Sequence, residues 1–223
     1  MCYRRRRHIF QMPIDALTIK HTVIQFLEKH PFCAAFSLGI ITASSLPPFG
    51  LFFAPLISLP LTLSITYQTS DLRRVILTGF LFAFGYFVCG LYWTSAAFYL
   101  LLHDVMWLAP FSVIGLPLSL ALFWVPAFVI AYLTRDRPVL SALTFITILP
   151  SGEYARANFI LNFSWNLLGY GLYRIPQFVQ MTSLTGIYGL TFFFISLSCI
   201  PLLIYQVKET KYFKVTISLL FLM

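Results

Sequence analysis

Long apolar runs alternate with short polar connectors along most of the chain. The first run covers residues 32–44 and gives way to Ser45-Leu46-Pro47-Pro48-Phe49-Gly50, where two prolines in succession stop a helix in a sharp turn. A second run covers 51–67, with Pro55 and Pro60 expected to bend it, and 69–74 is a polar connector. The third, 75–102, places Gly79, Ala83 and Gly90 on one helix face, where small side chains let a neighbouring helix approach closely in lipid. Its outer end carries Tyr92, Trp93 and Tyr99, as the ends of membrane helices do. The fourth, 105–133, contains Pro110, Pro117 and Pro126 and is expected to be kinked. The fifth starts at Val139 and reaches full length only if it continues through Glu153 to Asn158; the sixth covers 178–205. A seventh run begins at Val215 and reaches Met223. With ~20 residues needed for each crossing, the pattern predicts an all-α polytopic membrane protein. It has six complete transmembrane helices plus a truncated seventh, in a transmembrane domain at 31–223. Ahead of it, residues 1–30 open with Arg4-Arg5-Arg6-Arg7-His8, and Ile14, Leu17, Ile24 and Leu27 form an apolar stripe that suggests a helix lying on the membrane surface.

Composition agrees with this class. Of the 223 residues 59% are hydrophobic and 10% charged, against roughly 25% charged in soluble domains. The net charge of +8 would suggest a nucleic-acid partner if the charges were clustered on a soluble face, but they lie in the connectors. If the N-terminus, 68–74, 134–138 and 206–214 share one side, that side holds Arg4, Arg5, Arg6, Arg7, Lys20, Lys29, Arg73, Arg74, Arg135, Arg137, Lys208, Lys211 and Lys214. Only Arg156 and Arg174 remain for the other side. Cytoplasmic loops carry the excess of Lys and Arg, so the N-terminus is expected inside and the loop 154–177 outside, with no nucleic-acid partner.

The most polar interruption runs from 150 to 189. Glu153 and Arg156 are three residues apart, so on a helix they share a face and can pair. Asn162, Trp165 and Asn166 follow, then Gly169, Tyr170 and Gly171 as turn material. Two readings of the pair stand open: it caps a span end and solvates the interface, or it orders a loop that receives a lipid headgroup or a protein substrate. Trp165 is likewise an interfacial anchor or a contact residue. Elsewhere the candidates for chemistry are thin. His8, His21, His30 and His103 are too dispersed for a metal site, and Cys2, Cys33, Cys89 and Cys199 show no CxxC or metal spacing. His103-Asp104 reads as a polar connector or an outer acid/base pair. No complete span carries an ionisable residue in its middle, which disfavours an ion-coupled transporter. No catalytic residue, metal or cofactor is expected.

Several pieces, in order, resemble the membrane half of the bacterial apolipoprotein N-acyltransferase family. They are Leu46-Pro47-Pro48-Phe49; Gly79-Phe80-Leu81-Phe82-Ala83-Phe84-Gly85-Tyr86-Phe87 with Gly90-Leu91-Tyr92-Trp93; Glu153-Tyr154-Ala155-Arg156; Phe163-Ser164-Trp165-Asn166-Leu167-Leu168-Gly169-Tyr170; Gln180; and Gly186-Ile187-Tyr188-Gly189-Leu190. The family has Thr-Gly-Phe-Pro-Trp where this chain has Leu161-Asn162-Phe163-Ser164-Trp165, a departure that bears on the bend of the loop. The resemblance implies the platform of a multi-pass enzyme of the bacterial inner membrane. That enzyme moves an acyl chain from a phospholipid to the amino group of a lipoprotein's diacylglyceryl-cysteine. Glu153, Arg156, Trp165, Asn166 and Gln180 become the substrate-binding candidates. Family members use a Glu-Lys-Cys triad in a nitrilase-like domain, and no position here matches it, so the chain is expected not to acylate lipoproteins by itself. A truncated or split acyltransferase with a separately encoded nitrilase-like half, a non-catalytic lipid-binding or assembly module, and a small transporter or channel are the three readings.

Overall fold

The computed structural model describes residues 29–101 and 103–207, all helix and connecting turn with no strand among them. The basic N-terminal run, the striped segment 14–27, Lys208, Lys211, Lys214 and the run from Val215 lie outside the described residues. Eight α-helices carry the fold: α1 Pro31–Ala43, α2 Ala54–Gln68, α3 Leu72–Leu91, α4 Thr94–Leu101, α5 Leu116–Ala121, α6 Val125–Leu133, α7 Pro138–Ala155 and α8 Pro176–Val207. Three stretches are long and apolar enough to cross a membrane: Leu72–Leu91, Asp104–Leu133 and Pro176–Ile204. The 13 residues of α1 cover about 20 Å, short of the ~30 Å hydrocarbon core.

Breaks in the long apolar runs have local causes. Pro55 was expected to bend α2, yet it occupies the first turn, where a missing N–H costs nothing, and only Pro60 lies inside the helix. The third run was expected to continue to Leu102, but α3 ends at Leu91. The Thr94 and Ser95 hydroxyls donate back to the carbonyls of Leu91 (2.7 Å) and Tyr92 (2.8 Å), offering the backbone an alternative to the helical ladder. The 104–133 stretch is divided as its prolines predict. Pro110 precedes a π-helical turn at Phe111–Gly115, and Pro117 and Pro126 stand in the first turns of α5 and α6. In α8 the break is at Gly186, whose φ of 69° and ψ of 178° no helix contains.

The helices pack around α3. It lies against α1 on one side and against α5 and α6 on the other, while α7 joins α6 to α8. The α1–α3 contact is backbone on backbone: a Cβ at Gly39 would strike the Phe82 carbonyl, and one at Gly85 the Phe36 carbonyl. In lipid, where no hydrophobic force drives helices together, such close approach supplies the van der Waals contact that does. Gly79 lies against the Phe128 ring of α6, Ala83 is buried in the core, and Gly90 abuts the Asn166 side chain of the loop after α7. Around this axis Phe82, Tyr86, Phe87, Trp124, Phe128 and Phe145 form a continuous aromatic core. Hydroxyl pairs join other helices, Thr42 to Ser58 at 2.6 Å and Tyr67 to Ser141 at 2.7 Å.

These contacts sort the connectors between two ends. Arg174 bonds Pro48, and Trp93 stacks on Trp165, so the 45–50 turn, the end of α3 and the loop after α7 share one end. Tyr67 near the end of α2 meets Ser141 near the start of α7 at the other, beside Arg73, Arg74, Arg135 and Arg137.

The backbone contact predicts unequal tolerance of the glycines. Gly39→Ala should destabilise by about 1–3 kcal/mol, because the Phe82 carbonyl must move. At Gly115 the nearest atom to an added Cβ is Phe111 Cβ at 3.9 Å, so Gly115→Ala should be neutral or stabilising by up to about 1 kcal/mol. Thermal unfolding in mild detergent measures both; equal melting temperatures for the two variants would refute the contact.

Candidate functional site

The site is built where α7 leaves its helical path. Gly152 has no room for a Cβ against the Phe123 carbonyl, which brings this turn of α7 onto the link between α5 and α6. Glu153 is thereby set beside Trp124. After Ala155 the helix widens into a π turn at Arg156–Ile160, closed by the Leu161 amide donating to the Arg156 carbonyl at 3.1 Å. The widening directs Arg156 inward under the following loop.

Glu153 and Arg156 are both fully buried, so the pair does not itself meet solvent, although Arg156 does stand at the C-cap of α7. Arg156 Nη2 lies 3.7 Å from Glu153 Oε1. The guanidinium also donates from Nη1 to the Phe163 carbonyl at 2.7 Å and from Nη2 to the carbonyls of Trp165 (3.1 Å) and Asn166 (3.4 Å). The Tyr86 hydroxyl adds a bond to the Asn166 carbonyl at 3.1 Å, and the Phe87 ring faces the guanidinium at 5.1 Å. Among the described residues neither oxygen of the Glu153 carboxylate has a hydrogen-bond partner, and neither does the buried Trp124 indole N–H. A buried cation is thus shared between one carboxylate and three main-chain carbonyls, the arrangement that offsets its loss of water.

The loop so held takes two left-handed residues, Asn162 (φ 50°) and Asn166 (φ 55°). Asparagine is the side chain other than glycine that best tolerates this region. Further on, Gly169 donates its N–H to Thr191 Oγ1 at 3.2 Å, and Gly171 packs on Ser45 and Phe194, docking the loop on α8 and the 45–50 turn.

Above the pair the loop walls an open cleft of about 750 Å³. Leu46, Pro47 and Pro48 form one side, Gly90, Tyr92 and Trp93 the floor, and Trp165, Asn166, Tyr170 and Tyr173 the far side. Trp93 and Trp165 stack at 4.6 Å with 22° between their planes. Burial, then the neighbouring Tyr188, pushes the Tyr170 phenol above its ordinary range. The lining offers rings, prolines, phenols and one amide, and no thiol, carboxylate or amine. Such a surface binds an apolar ligand and orients it with a few polar groups.

Of the five binding candidates, Trp165 and Asn166 therefore line the cleft, and Glu153 and Arg156 lie buried beneath its wall. Gln180 is on the exposed face of α8, outside the lining. Among the described residues no group of three His, Cys, Asp or Glu side chains could hold a metal. Sequence reasoning missed Tyr86, Phe87 and Trp124 as neighbours of the pair, since one aromatic in an apolar run looks like another. It gave Tyr92 and Trp93 as interfacial aromatics without seeing that they line a cleft; the hydroxyls of Thr94 and Ser95 just after them were the sign of a break.

Removing the guanidinium leaves a buried carboxylate without its charge partner and three carbonyls without a shared donor. Arg156→Met should cost about 3–5 kcal/mol, and Arg156→Lys should not restore it, because a compact ammonium cannot span the Phe163 and Trp165 carbonyls as a fork does. Tryptophan-monitored melting of the purified variants checks this; an unchanged transition in Arg156→Met would count against the clamp.

The matches to known proteins cover this same region. A family model described as the apolipoprotein N-acyltransferase N-terminal domain matches residues 38–200. The chain is 30% identical over 178 residues to an apolipoprotein N-acyltransferase of Rickettsia bellii, covering 76% of this chain and 36% of that protein. To the proteins of the same name in Brucella melitensis and Rhizobium rhizogenes it is 32% identical over 167 residues and 34% over 164. Those alignments cover 71% and 69% of this chain, and 31% and 30% of the relatives. The chain thus spans about a third of the length of the curated relatives it matches. The matched stretch begins within α1, ends within α8 and includes the buried pair, the loop and the cleft: the chain belongs to the family of apolipoprotein N-acyltransferase N-terminal domains.

Proposed function

We propose that this chain forms the membrane platform for lipoprotein N-acylation in a bacterial inner membrane. There it presents a phospholipid donor and a lipoprotein acceptor to a nitrilase-like catalytic part. The observation that carries the reading is the aromatic-walled cleft of about 750 Å³, held open by the buried Arg156 clamp and lined by groups that bind but do not react. The described thiols lie in helices: Cys33 in α1, Cys89 in α3 and Cys199, fully buried, in α8. None of these thiols lines the cleft. The acyl-thioester chemistry of the family then falls to the nitrilase-like part, and residues 31–207 serve as scaffold and lipid site.

In this reading the chain crosses the membrane six times between 31 and 207, with a seventh crossing starting near Val215. The N-terminus is cytoplasmic and the loop 154–177 faces outward. Support comes from the sorting of connectors, since Arg73, Arg74, Arg135 and Arg137 gather at the end opposite Arg156 and Arg174.

Topology is checked with two single cysteines in a cysteine-free background, Asn162→Cys and Asp136→Cys, both at exposed positions. An impermeant thiol reagent should label Asn162→Cys in intact spheroplasts and Asp136→Cys only after lysis; the reverse order would invert the protein. Function is checked by complementation in a strain depleted of its own acyltransferase, reading the lipoprotein N-terminus by mass spectrometry. A third acyl chain should appear when this chain is supplied with a nitrilase-like catalytic part and not when either is supplied alone. Acylation by this chain alone would overturn the platform reading, and none in any combination would favour a lipid-binding or assembly module.

A further inference from the structure

The end of the bundle opposite the cleft carries charge that neither the clamp nor the cleft uses. Arg73 and Arg74 stand in the first turn of α3, and Arg135 and Arg137 in the turn between α6 and α7. Packing brings the two groups to one level. Gly79 of α3 lies against the Phe128 ring of α6, and from that contact α3 runs back to Arg74 and Arg73 while α6 runs forward to Arg135. The end of α2 is laced to the same turn: the Tyr67 hydroxyl meets Ser141 Oγ at 2.7 Å, and Ser141 Oγ donates to the Ala131 carbonyl at 2.6 Å.

Little of this charge is neutralised within the chain. Asp71 accepts the Arg73 backbone N–H at 2.9 Å as the N-cap of α3, and neither it nor Asp136 comes within ion-pairing distance of an arginine. Arg73, Arg74 and Arg137 are exposed, with no side-chain partner among the described residues. Arg135 is half-buried and held in place, its guanidinium 3.8 Å from the centre of the Tyr132 ring and its Nη1 donating to the Tyr132 carbonyl at 3.1 Å. Its other N–H groups are left for a ligand. Arg73, Arg74 and the N-cap Arg137 also stand at the N-terminal ends of α3 and α7, where the helix dipole is itself positive and disfavours cations. They do not serve their helices. Four arginines against two aspartates leave two positive charges over, and the same turns expose Leu72, Ile76, Leu77, Leu133 and Leu140.

We infer that this end binds a lipid with two phosphodiesters, its headgroup bridging the start of α3 and the α6–α7 turn and its acyl chains lying on the exposed leucines and Ile76. Arginines at an inner membrane face are ordinary; what distinguishes these is their division into two unneutralised groups on separate connectors, each beside a helix N-terminus. A single phosphate occupies one guanidinium fork and leaves the other group unmet. A lipid with two phosphates meets both, the second contact being intramolecular once the first has formed. Basic pockets between membrane helices on this side suit such headgroups. The apolar side chains on the same turns commit the site to a lipid, since a nucleic acid or an acidic protein segment would leave them against water. The bound lipid joins two connectors that the chain links only through Tyr67, Ser141 and the helices behind them. The site is remote from the cleft and concerns no substrate of the platform reading.

The experiment is native mass spectrometry of the purified full chain in detergent, titrated with cardiolipin, phosphatidylglycerol or phosphatidylethanolamine. One cardiolipin should be retained per chain at roughly tenfold lower concentration than phosphatidylglycerol, and phosphatidylethanolamine should bind more weakly still. Arg73→Gln with Arg137→Gln should remove the preference for cardiolipin. Arg174→Gln at the opposite end, and Arg5→Gln with Arg6→Gln in the basic N-terminal run, should leave it unchanged. Cardiolipin should also raise the melting temperature of the parent chain and not that of Arg73→Gln with Arg137→Gln. Equal retention of cardiolipin and phosphatidylglycerol by the parent chain would overturn the assignment without recourse to any variant. So would a preference that survives Arg73→Gln with Arg137→Gln, or one lost in Arg5→Gln with Arg6→Gln instead. Capture of an added oligonucleotide or polyglutamate in place of cardiolipin would refute the lipid as occupant. Binding in detergent is read without regard to the side on which this end lies, so failure here is distinct from failure of the topology or complementation tests.

Discussion

The structure depends on one buried guanidinium. Taking an arginine out of water inside an apolar bundle costs several kcal/mol, and Arg156 recovers this only because Glu153 and three loop carbonyls meet it together. Each partner requires something of the surrounding chain. Glu153 must be on the same helix face, α7 must widen after Ala155, and the loop must turn three carbonyls toward one point. The left-handed residues at Asn162 and Asn166 and the hydroxyl of Tyr86 are how the last requirement is met. Polar groups this costly in a membrane protein tend to be retained where they have work to do, and here the work is to shape a loop outside the helices.

The helices supply the rigidity against which the loop is set. Where α1 crosses α3 the two backbones touch, and the aromatic core from Phe82 to Phe145 fills the other face of α3. Tyr86, Phe87 and Trp124 belong to both systems, being core on one side and neighbours of the buried pair on the other. The cleft floor at Gly90, Tyr92 and Trp93 is the end of α3 itself, so the cleft inherits its geometry from the most tightly packed helix.

The sequence made the helical class, most turns and the pairing of Glu153 with Arg156 legible, because period, proline position and charge spacing are local properties. It did not show that the pair is buried. Burial of Arg156 depends on a π turn, and on carbonyls seven to ten residues away that fold back over it. The end of α3 at Leu91 was hidden by continuous hydrophobicity, which reports on lipid contact and says little about hydrogen bonding by Thr94 and Ser95. The Gly39–Gly85 crossing was hidden too, although both glycines were in plain view, because it needs a partner helix to give either of them meaning. Gln180 shows the opposite case: a polar residue in the right stretch that faces away from the cleft.

Arg156 grips the loop through carbonyl oxygens alone, and a carbonyl is the same whatever side chain it belongs to. The grip is therefore indifferent to most substitutions between 161 and 166, provided that positions 162 and 166 tolerate a left-handed backbone. Of these residues only Trp165 and Asn166 face the cleft, so the frame leaves the side chain at 165 open to exchange while the backbone behind it stays fixed.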